Sequence, residues 1–243
     1  RVALTNIDVD GTSTGSSSVT VNGLGSNFNT FSVFKSVPTV TVYDSDGADV
    51  ITGNDTFSLM KFSVTADGAG PIGLYKFMFG VSTTTVAMSS TSYYLYESDS
   101  DSTLGDVIAQ GTDFMSVQGH GDATVVHAYL DVNDDNGDSP ALEHRILSAG
   151  TTKYYTLRGT VASGHDNTGD NESISTVLAG DAGFVGTAAQ AAGASASDAD
   201  GNSFVWSDLN FDLYSTSTAT NNVGWWNGYR VEGMVNTSST AEV

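Results

Sequence analysis

Asp55–Thr85 reads DTFSLMKFSVTADGAGPIGLYKFMFGVSTTT, and its pattern decides the fold class. Two runs rich in aromatic and branched residues flank Asp67-Gly68-Ala69-Gly70-Pro71. In the second run Tyr75, Phe77, Phe79 and Val81 fall on one face of a strand. Ile72, Leu74 and Met78 fall on the other, with Lys76. Period-two alternation with one heavy face marks a strand packed on a core. In the first run Met60, Phe62, Val64 and Ala66 alternate, whereas Phe57 and Leu59 are out of phase. An extra residue in a strand produces such a flip, so a β-bulge is expected near Leu59–Met60. The two runs read as a hairpin at the centre of a β-sandwich.

Similar runs recur on both sides. Arg1–Val9, Val19–Leu24, Phe28–Phe34 and Val37–Tyr43 precede the central pair. Ser92–Glu97, Asp106–Gln110, Phe114–Gln118, Thr124–Leu130, Arg145–Leu147, Thr151–Val161 and Ser173–Leu178 follow it, then Ser203–Ser207, Leu209–Tyr214 and Gly228–Val235. Short strands at regular spacing predict an all-β chain, an antiparallel β-sandwich of Ig-like or jelly-roll-like type with an N-terminal strand arm. The expected division is an arm over 1–27 and one sandwich domain over 28–243, with a small-residue linker near 186–201.

Charge narrows the function. Twenty-eight acidic residues against eight basic ones leave a net charge of −20, and the eight cations form no patch. Such a surface repels phosphate backbones and anionic membranes, which argues against nucleic acid as a partner. No run of about 20 apolar residues is present, so no membrane insertion is expected. With no cysteine, disulfides are excluded as staples. The acid is mostly aspartate set among Gly, Asn and Ser, the company it keeps in turns and cation loops. This composition predicts a protein of the extracellular space or cell surface. The chain starts at Arg1 without Met or a signal-peptide pattern, as expected after signal removal or in a piece of a longer chain.

Motifs of catalysis lack their context. Gly11-Thr12-Ser13-Thr14-Gly15 matches G-x-S-x-G, but no helix follows to form a nucleophile elbow. Gly68-Ala69-Gly70-Pro71-Ile72-Gly73 matches G-x-G-x-x-G, but a strand follows and Pro71 removes an N–H, so it reads as a turn. His120, His127, His144 and His165 show no zinc spacing, and His127 reads as structural. The chain is therefore expected not to be an enzyme.

The sharpest chemical candidate is Asp131-Val132-Asn133-Asp134-Asp135-Asn136-Gly137-Asp138. Asp131, Asn133, Asp135 and Asp138, with Glu143 beyond, offer oxygens at a spacing that wraps calcium. The glycine falls one position later than in an EF-hand loop, and a solvated acidic turn is the alternative. Asp44/Asp46/Asp49, Glu97/Asp99/Asp101 and Asp198/Asp200 are lesser versions that read as turns. Trp206, Trp225, Trp226 and Tyr229 suggest either a sugar-stacking platform or packing of the last strands. Asn54-Asp55-Thr56, Asn171-Glu172-Ser173 and Asn236-Thr237-Ser238 fit the pattern for attached glycans.

Phe204-Val205-Trp206-Ser207-Asp208, Ser215-Thr216-Ser217-Thr218 and Trp226-Asn227-Gly228-Tyr229-Arg230-Val231-Glu232-Gly233 form a C-terminal pattern. It resembles one in Ser/Thr/Gly/Asp-rich cell-surface β-sandwich proteins of candidate-phylum bacteria. Lys35-Ser36-Val37-Pro38-Thr39-Val40 and Ser148-Ala149-Gly150-Thr151-Thr152-Lys153 resemble segments there too. This chain departs by an insertion around Leu209–Leu213 and by the doubled Trp225-Trp226. The resemblance implies cell-surface placement and carries no functional residues over.

Together these features predict a structural subunit of an extracellular filament or surface layer whose partners are copies of itself. Its arm, with Val2, Leu4, Ile7 and Val9 as apolar positions, would be donated to a neighbour's sheet. Pairing of the arm within its own sandwich is the alternative. A cell-surface adhesin or carbohydrate-binding module is the second functional expectation.

Overall fold

The structure is a computed structural model. It describes residues 18–19, 31–32, 34–43, 55–111, 115–118, 123–130, 144–163, 172–180, 204–209, 225–226, 228, 231–234 and 238–242. Two antiparallel sheets pack face to face. The five-stranded sheet runs β3 (Pro38–Tyr43), β4 (Thr56–Ala66), β11 (Thr152–Ser163), β6 (Ala87–Ser98), β7 (Asp106–Gln110). The seven-stranded sheet runs β14 (Ser238–Glu242), β12 (Ser173–Leu178), β5 (Ile72–Thr84), β9 (Ala123–Tyr129), β8 (Met115–Gln118). In it β10 (Arg145–Leu147) and β13 (Phe204–Ser207) also pair with β5. A separate pair joins β1 (Ser18–Val19) to β2 (Phe31–Ser32). The expected antiparallel β-sandwich is the fold.

The central pair is not a hairpin. β4 and β5 belong to opposite sheets, so the turn at Asp67–Pro71 carries the chain across the core rather than back along one sheet. Asp67 Oδ1 accepts from the Ala69 N–H at 2.7 Å and fixes that turn. The two strands then meet through their side chains. Phe62 of β4 lies 5.2 Å from Phe77 and 5.9 Å from Phe79, and Tyr155 stacks on Phe62 at 5.3 Å. Such aromatic contacts add about 0.5–1.5 kcal/mol each beyond area burial.

The bulge expected in β4 is present. Leu157 of β11 opposes Met60 and Arg158 opposes Ser58, which leaves Leu59 as the extra residue. Phe57, Leu59 and Met60 can therefore all enter the core despite their phases.

β5 corrects the expected faces. Opposite β13, Lys76 pairs with Val205 and Leu74 with Trp206, so Tyr75 is the extra residue. The phase flips there: Ile72 and Leu74 join Phe77, Phe79 and Val81 in the main core, while Tyr75 packs with Tyr129, Val205 and Trp225 in a second cluster. Both faces of this half of β5 are covered, which is why alternation alone misassigned them.

Register on β5 also explains two long connections. β9 ends with Tyr129 opposite Lys76, the Leu130 N–H donates to the Tyr75 carbonyl at 2.8 Å, and β10 resumes with Arg145 opposite Leu74. β9 and β10 are thus one interrupted line along the same edge of β5. On the opposite edge, Leu178 pairs with Phe79, Ala179 donates to the Met78 carbonyl, and β13 resumes with Phe204 opposite Phe77. The stretch containing 186–201 therefore leaves and re-enters the sheet at neighbouring positions; the stretch itself lies outside the described residues, as do residues 1–17.

The last part of the chain differs from expectation. In place of a strand over Gly228–Val235, the described residues show a bridge of Glu232 to Thr39 and a turn at Gly233. β14, which the sequence reading omitted, pairs with β12. The turn requires glycine: φ of Gly233 is 86°, and a Cβ there would lie 1.7 Å from the Val40 carbonyl oxygen. Gly68, by contrast, has no heavy atom within 4 Å of an added Cβ. Gly233→Ala is expected to cost about 2 kcal/mol or more in urea unfolding. Gly68→Ala should stay within about 0.5 kcal/mol of the parent; equal losses at the two positions would refute the close approach at Val40.

Candidate functional site

The described residues among 225–242 line one flank of the sandwich. Trp226 pairs with Trp206 at the outer edge of β13, with N–O distances of 3.0 and 2.7 Å. Phe34 packs on both indoles, at 5.2 Å from Trp206 and 4.8 Å from Trp226. Farther on, the Val40 N–H donates to the Glu232 carbonyl at 2.9 Å, which covers part of the β3 edge. β14 then lines β12 and lies against β3 and β4. The described C-terminal residues thus line one flank. The opposite flank carries β7 and β8 as terminal strands, with β7 against β9 and β6 against β8. Among the described residues nothing pairs with the outer edge of β7, and Leu104 and Val107 beside it are both 39% exposed.

This closure removes the proposed sugar platform. Trp206, Trp225 and Trp226 are 2%, 0% and 3% exposed, so no indole face is free for a ring to stack on. Trp225 instead covers the far face of β5, 5.7 Å from Tyr75 and 5.2 Å from His144. Gly73 makes room for it: a Cβ there would meet His144 at 2.9 Å, Leu209 at 3.0 Å and Trp225 at 3.4 Å. Burial lowers the His144 pKa, so its ring is neutral at neutral pH. Lys76 is buried beside the same cluster with its amine 5.5 Å from the Tyr129 ring centroid. His127 is buried in β9, as its structural reading predicts.

A charged cluster missed by sequence reading ties the sheets together. Arg145 of β10 donates from Nε and Nη2 to both Glu97 carboxylate oxygens, at 2.9 and 2.8 Å. Glu97 lies on β6, so this fork joins the seven-stranded to the five-stranded sheet. Lys153 Nζ is 3.9 Å from Glu97 and pairs with Asp99. Burial, with the Glu97 carboxylate beside it, holds the Tyr155 phenol well above its usual pKa and keeps it protonated. Asp99 and Asp101 therefore lie in a turn, as their reading expects, but Glu97 belongs to β6, and Glu97 and Asp99 are bonded to cations of the chain itself.

The other sequence candidates are placed only by their surroundings. Asp131, Asn133, Asp135, Asp138 and Glu143 lie outside the described residues, as do Val2, Leu4, Ile7 and Val9. The roots of the Asp131–Glu143 loop are described: Leu130 and His144 flank it, and the strands on either side are held at adjacent positions of β5. Among the described residues no three His, Cys, Asp or Glu side chains gather as a metal site.

No family model and no curated protein matches the sequence. Solved structures match weakly. AvmM, which catalyzes macrocyclization in alchivemycin A biosynthesis, is 13% identical over 60% of this chain and 74% of its own, with a TM-score of 0.28. A DUF4466 family protein from Parabacteroides merdae is 14% identical over 59% of this chain and 39% of its own, with a TM-score of 0.25. The group B streptococcus pilus 2b backbone protein is 14% identical over 57% and 51%, with a TM-score of 0.22. Likeness this slight carries no functional analogy.

The Glu97 and Arg145 side chains are 9% and 25% exposed, so their fork is only partly screened by solvent. Arg145→Ala is expected to lower stability by about 1–3 kcal/mol, mostly by stranding the carboxylate. A double-mutant cycle with Glu97→Gln should give a coupling above about 0.5 kcal/mol. Additive losses would show that the fork does not join the sheets.

Proposed function

We propose that this chain is a non-enzymatic structural subunit of an extracellular filament or surface layer, built from copies of itself by strand donation. The observation that carries the reading is the open edge of β7: among the described residues nothing pairs with it, whereas the Glu232 bridge covers part of the β3 edge. A row of N–H and C=O groups without partners is a template for another strand. β7 has neither lysine nor proline along Asp106–Gln110 to block it. Arg1–Val9 supplies the donor, with Val2, Leu4, Ile7 and Val9 as its apolar contacts. A donor strand leaving each copy for the next makes a heterologous, open-ended contact, the geometry of a filament.

Charge shapes the rest of the reading. Twenty net negative charges repel within and between subunits, and solvent screening at a Debye length of about 8 Å removes only part of this. Calcium on Asp131, Asn133, Asp135, Asp138 and Glu143 would relieve local repulsion and add rigidity to a chain without disulfides. Attached glycans at the Asn-X-Ser/Thr positions fit the same extracellular setting.

Two experiments test this. Removal of residues 1–9 should leave protein that is folded by circular dichroism but monomeric by sedimentation, where the parent forms filaments in electron micrographs. Filaments of normal length from the truncated chain, or a parent that stays monomeric, would overturn strand donation. Separately, a calcium chelator should lower the thermal midpoint, and Asp135→Asn should abolish that response. A melting curve unmoved by the chelator would remove calcium from the account.

A further inference from the structure

Two tyrosines meet on the outer face of the five-stranded sheet from strands that are not neighbours. Register places Tyr43 of β3 opposite Lys61 of β4, and Tyr154 of β11 opposite Ser63 of β4. β3 and β11 lie on either side of β4, so the two rings converge over it. Their centroids are 5.9 Å apart, with the planes tilted by 42°. The Tyr43 hydroxyl sits 3.2 Å from Ser63 Oγ. Lys61 Nζ lies 6.0 Å from the Tyr43 ring centroid and donates to the Asp101 carbonyl, which brings the turn after β6 to the same corner. Burial raises the Tyr154 pKa, as do the Tyr43 phenol, the Asp101 carboxylate and a hydrogen bond with Tyr43. The hydroxyl ends of the two rings thus face each other. The ortho carbons, one bond from each C–O carbon, are among the near atoms of the pair.

A second pair, Tyr75 and Tyr129, shows what sets the first apart. Its centroids are 6.0 Å apart, but the planes stand at 77° and both residues are buried in the cluster under Trp225. Tyr43 and Tyr154 are half-buried on an outer face, where a dissolved oxidant reaches them. Carbon atoms in van der Waals contact at about 3.5–4 Å must close to about 1.5 Å to form a bond. Two side chains at the surface can share that movement, whereas a close-packed interior resists it. With no cysteine, no disulfide ties the strands of this chain together.

We propose that Tyr43 and Tyr154 are a site of oxidative cross-linking, joined ortho carbon to ortho carbon as dityrosine within one chain. Each phenol gives up one electron and its hydroxyl proton. The two phenoxyl radicals couple through one new carbon–carbon bond. The hydrogen on each coupled carbon then moves to the neighbouring oxygen and restores both phenols. Hydrogen peroxide, acting through a peroxidase, takes the two electrons and two protons and leaves as two waters. The product ties the terminal strand β3 to the middle strand β11 across β4. It closes a loop of roughly 110 residues, and a closure of that length stabilises by restricting the unfolded chain. The inference goes beyond the structural-subunit reading and does not depend on it.

Peroxidase and hydrogen peroxide, applied to the dilute full chain, test it. The expected product is a monomer lighter by two hydrogens, with dityrosine fluorescence and a peptide map that joins β3 to β11. Its thermal midpoint should rise by about 5 °C or more. Tyr43→Phe and Tyr154→Phe each keep the ring and remove the phenol, and each should cut the yield of linked monomer at least about tenfold, because the positioned partner is gone. Tyr96→Phe, on the same face, should leave the yield unchanged. Circular dichroism identical to the parent's shows that each variant is folded. A folded parent that gives no linked monomer overturns the proposal. So does a yield unmoved in folded Tyr43→Phe, or a link that maps to Tyr75–Tyr129. Covalent dimers formed in place of linked monomer assign the tyrosines to contacts between chains and overturn it as well.

Discussion

The whole architecture depends on β5 being a strand that is surrounded. Its thirteen residues pair with β9 and β10 on one edge and with β12 and β13 on the other. Its inner face meets β4 through Phe77 and Phe79, and part of its outer face lies under Trp225. A strand enclosed in this way must be apolar on both faces, which Ile72–Val81 largely is. The extra residue at Tyr75 lets one strand serve both cores. It sits beside Leu130, where the acidic loop leaves the sheet, so one local irregularity coincides with the break between β9 and β10.

Much of the strand pattern was legible because its cause is local. Asp106–Gln110, Arg145–Leu147 and Ser173–Leu178 fall where alternation and flanking turn residues place them. The bulge at Leu59 was legible too, since a phase break inside an apolar run has few other physical causes. What alternation cannot carry is the choice of neighbour. Met60, Phe62 and Val64 announce a buried face equally well whether β5 lies beside them in one sheet or across the core in the other. The Glu97–Arg145 fork was hidden for the same reason: the two residues are 48 positions apart and meet only when the sheets stack. The tryptophans gave an ambiguous signal, because an indole prepared for a sugar and one prepared for a core look the same in sequence. Of the candidate calcium segment only the flanking Leu130 and His144 are described, and residues 1–17 lie outside the described residues. In sequence, Val2–Val9 and Asp131–Glu143 stand at the periphery, away from the packing that fixes the centre.

Acid is distributed in a way that keeps the fold stable despite the net charge of −20. In β4, β5, β9, β11, β12 and β13 no residue is Asp or Glu. Like charges directly opposite on paired strands would destabilise the ladders, and turns keep them apart in water. Where a carboxylate does enter the sandwich, as at Glu97, two cations meet it. Asp208 is 1% exposed and accepts from the Lys35 N–H at 3.0 Å, which satisfies an acid inside the C-terminal closure.

That distribution bears on how such a subunit could associate at all. Two bodies of the same large negative charge repel at long range, and a diffuse hydrophobic patch would be a poor answer because it invites disordered aggregation. Backbone pairing at a sheet edge avoids the difficulty, since its hydrogen bonds carry no net charge and require only that one short strand be admitted. β7 suits that role better than β3, because the Glu232 bridge already occupies part of the β3 edge. Its bulge at Ile108, between Leu95 and Tyr96 of the partner strand, limits how far an incoming strand can stay in register. The edge is thus open yet short among the described residues, so a donor strand would have to match it over a few residues. Selectivity would then come from the spacing of a donor's apolar positions, not from the backbone bonds themselves.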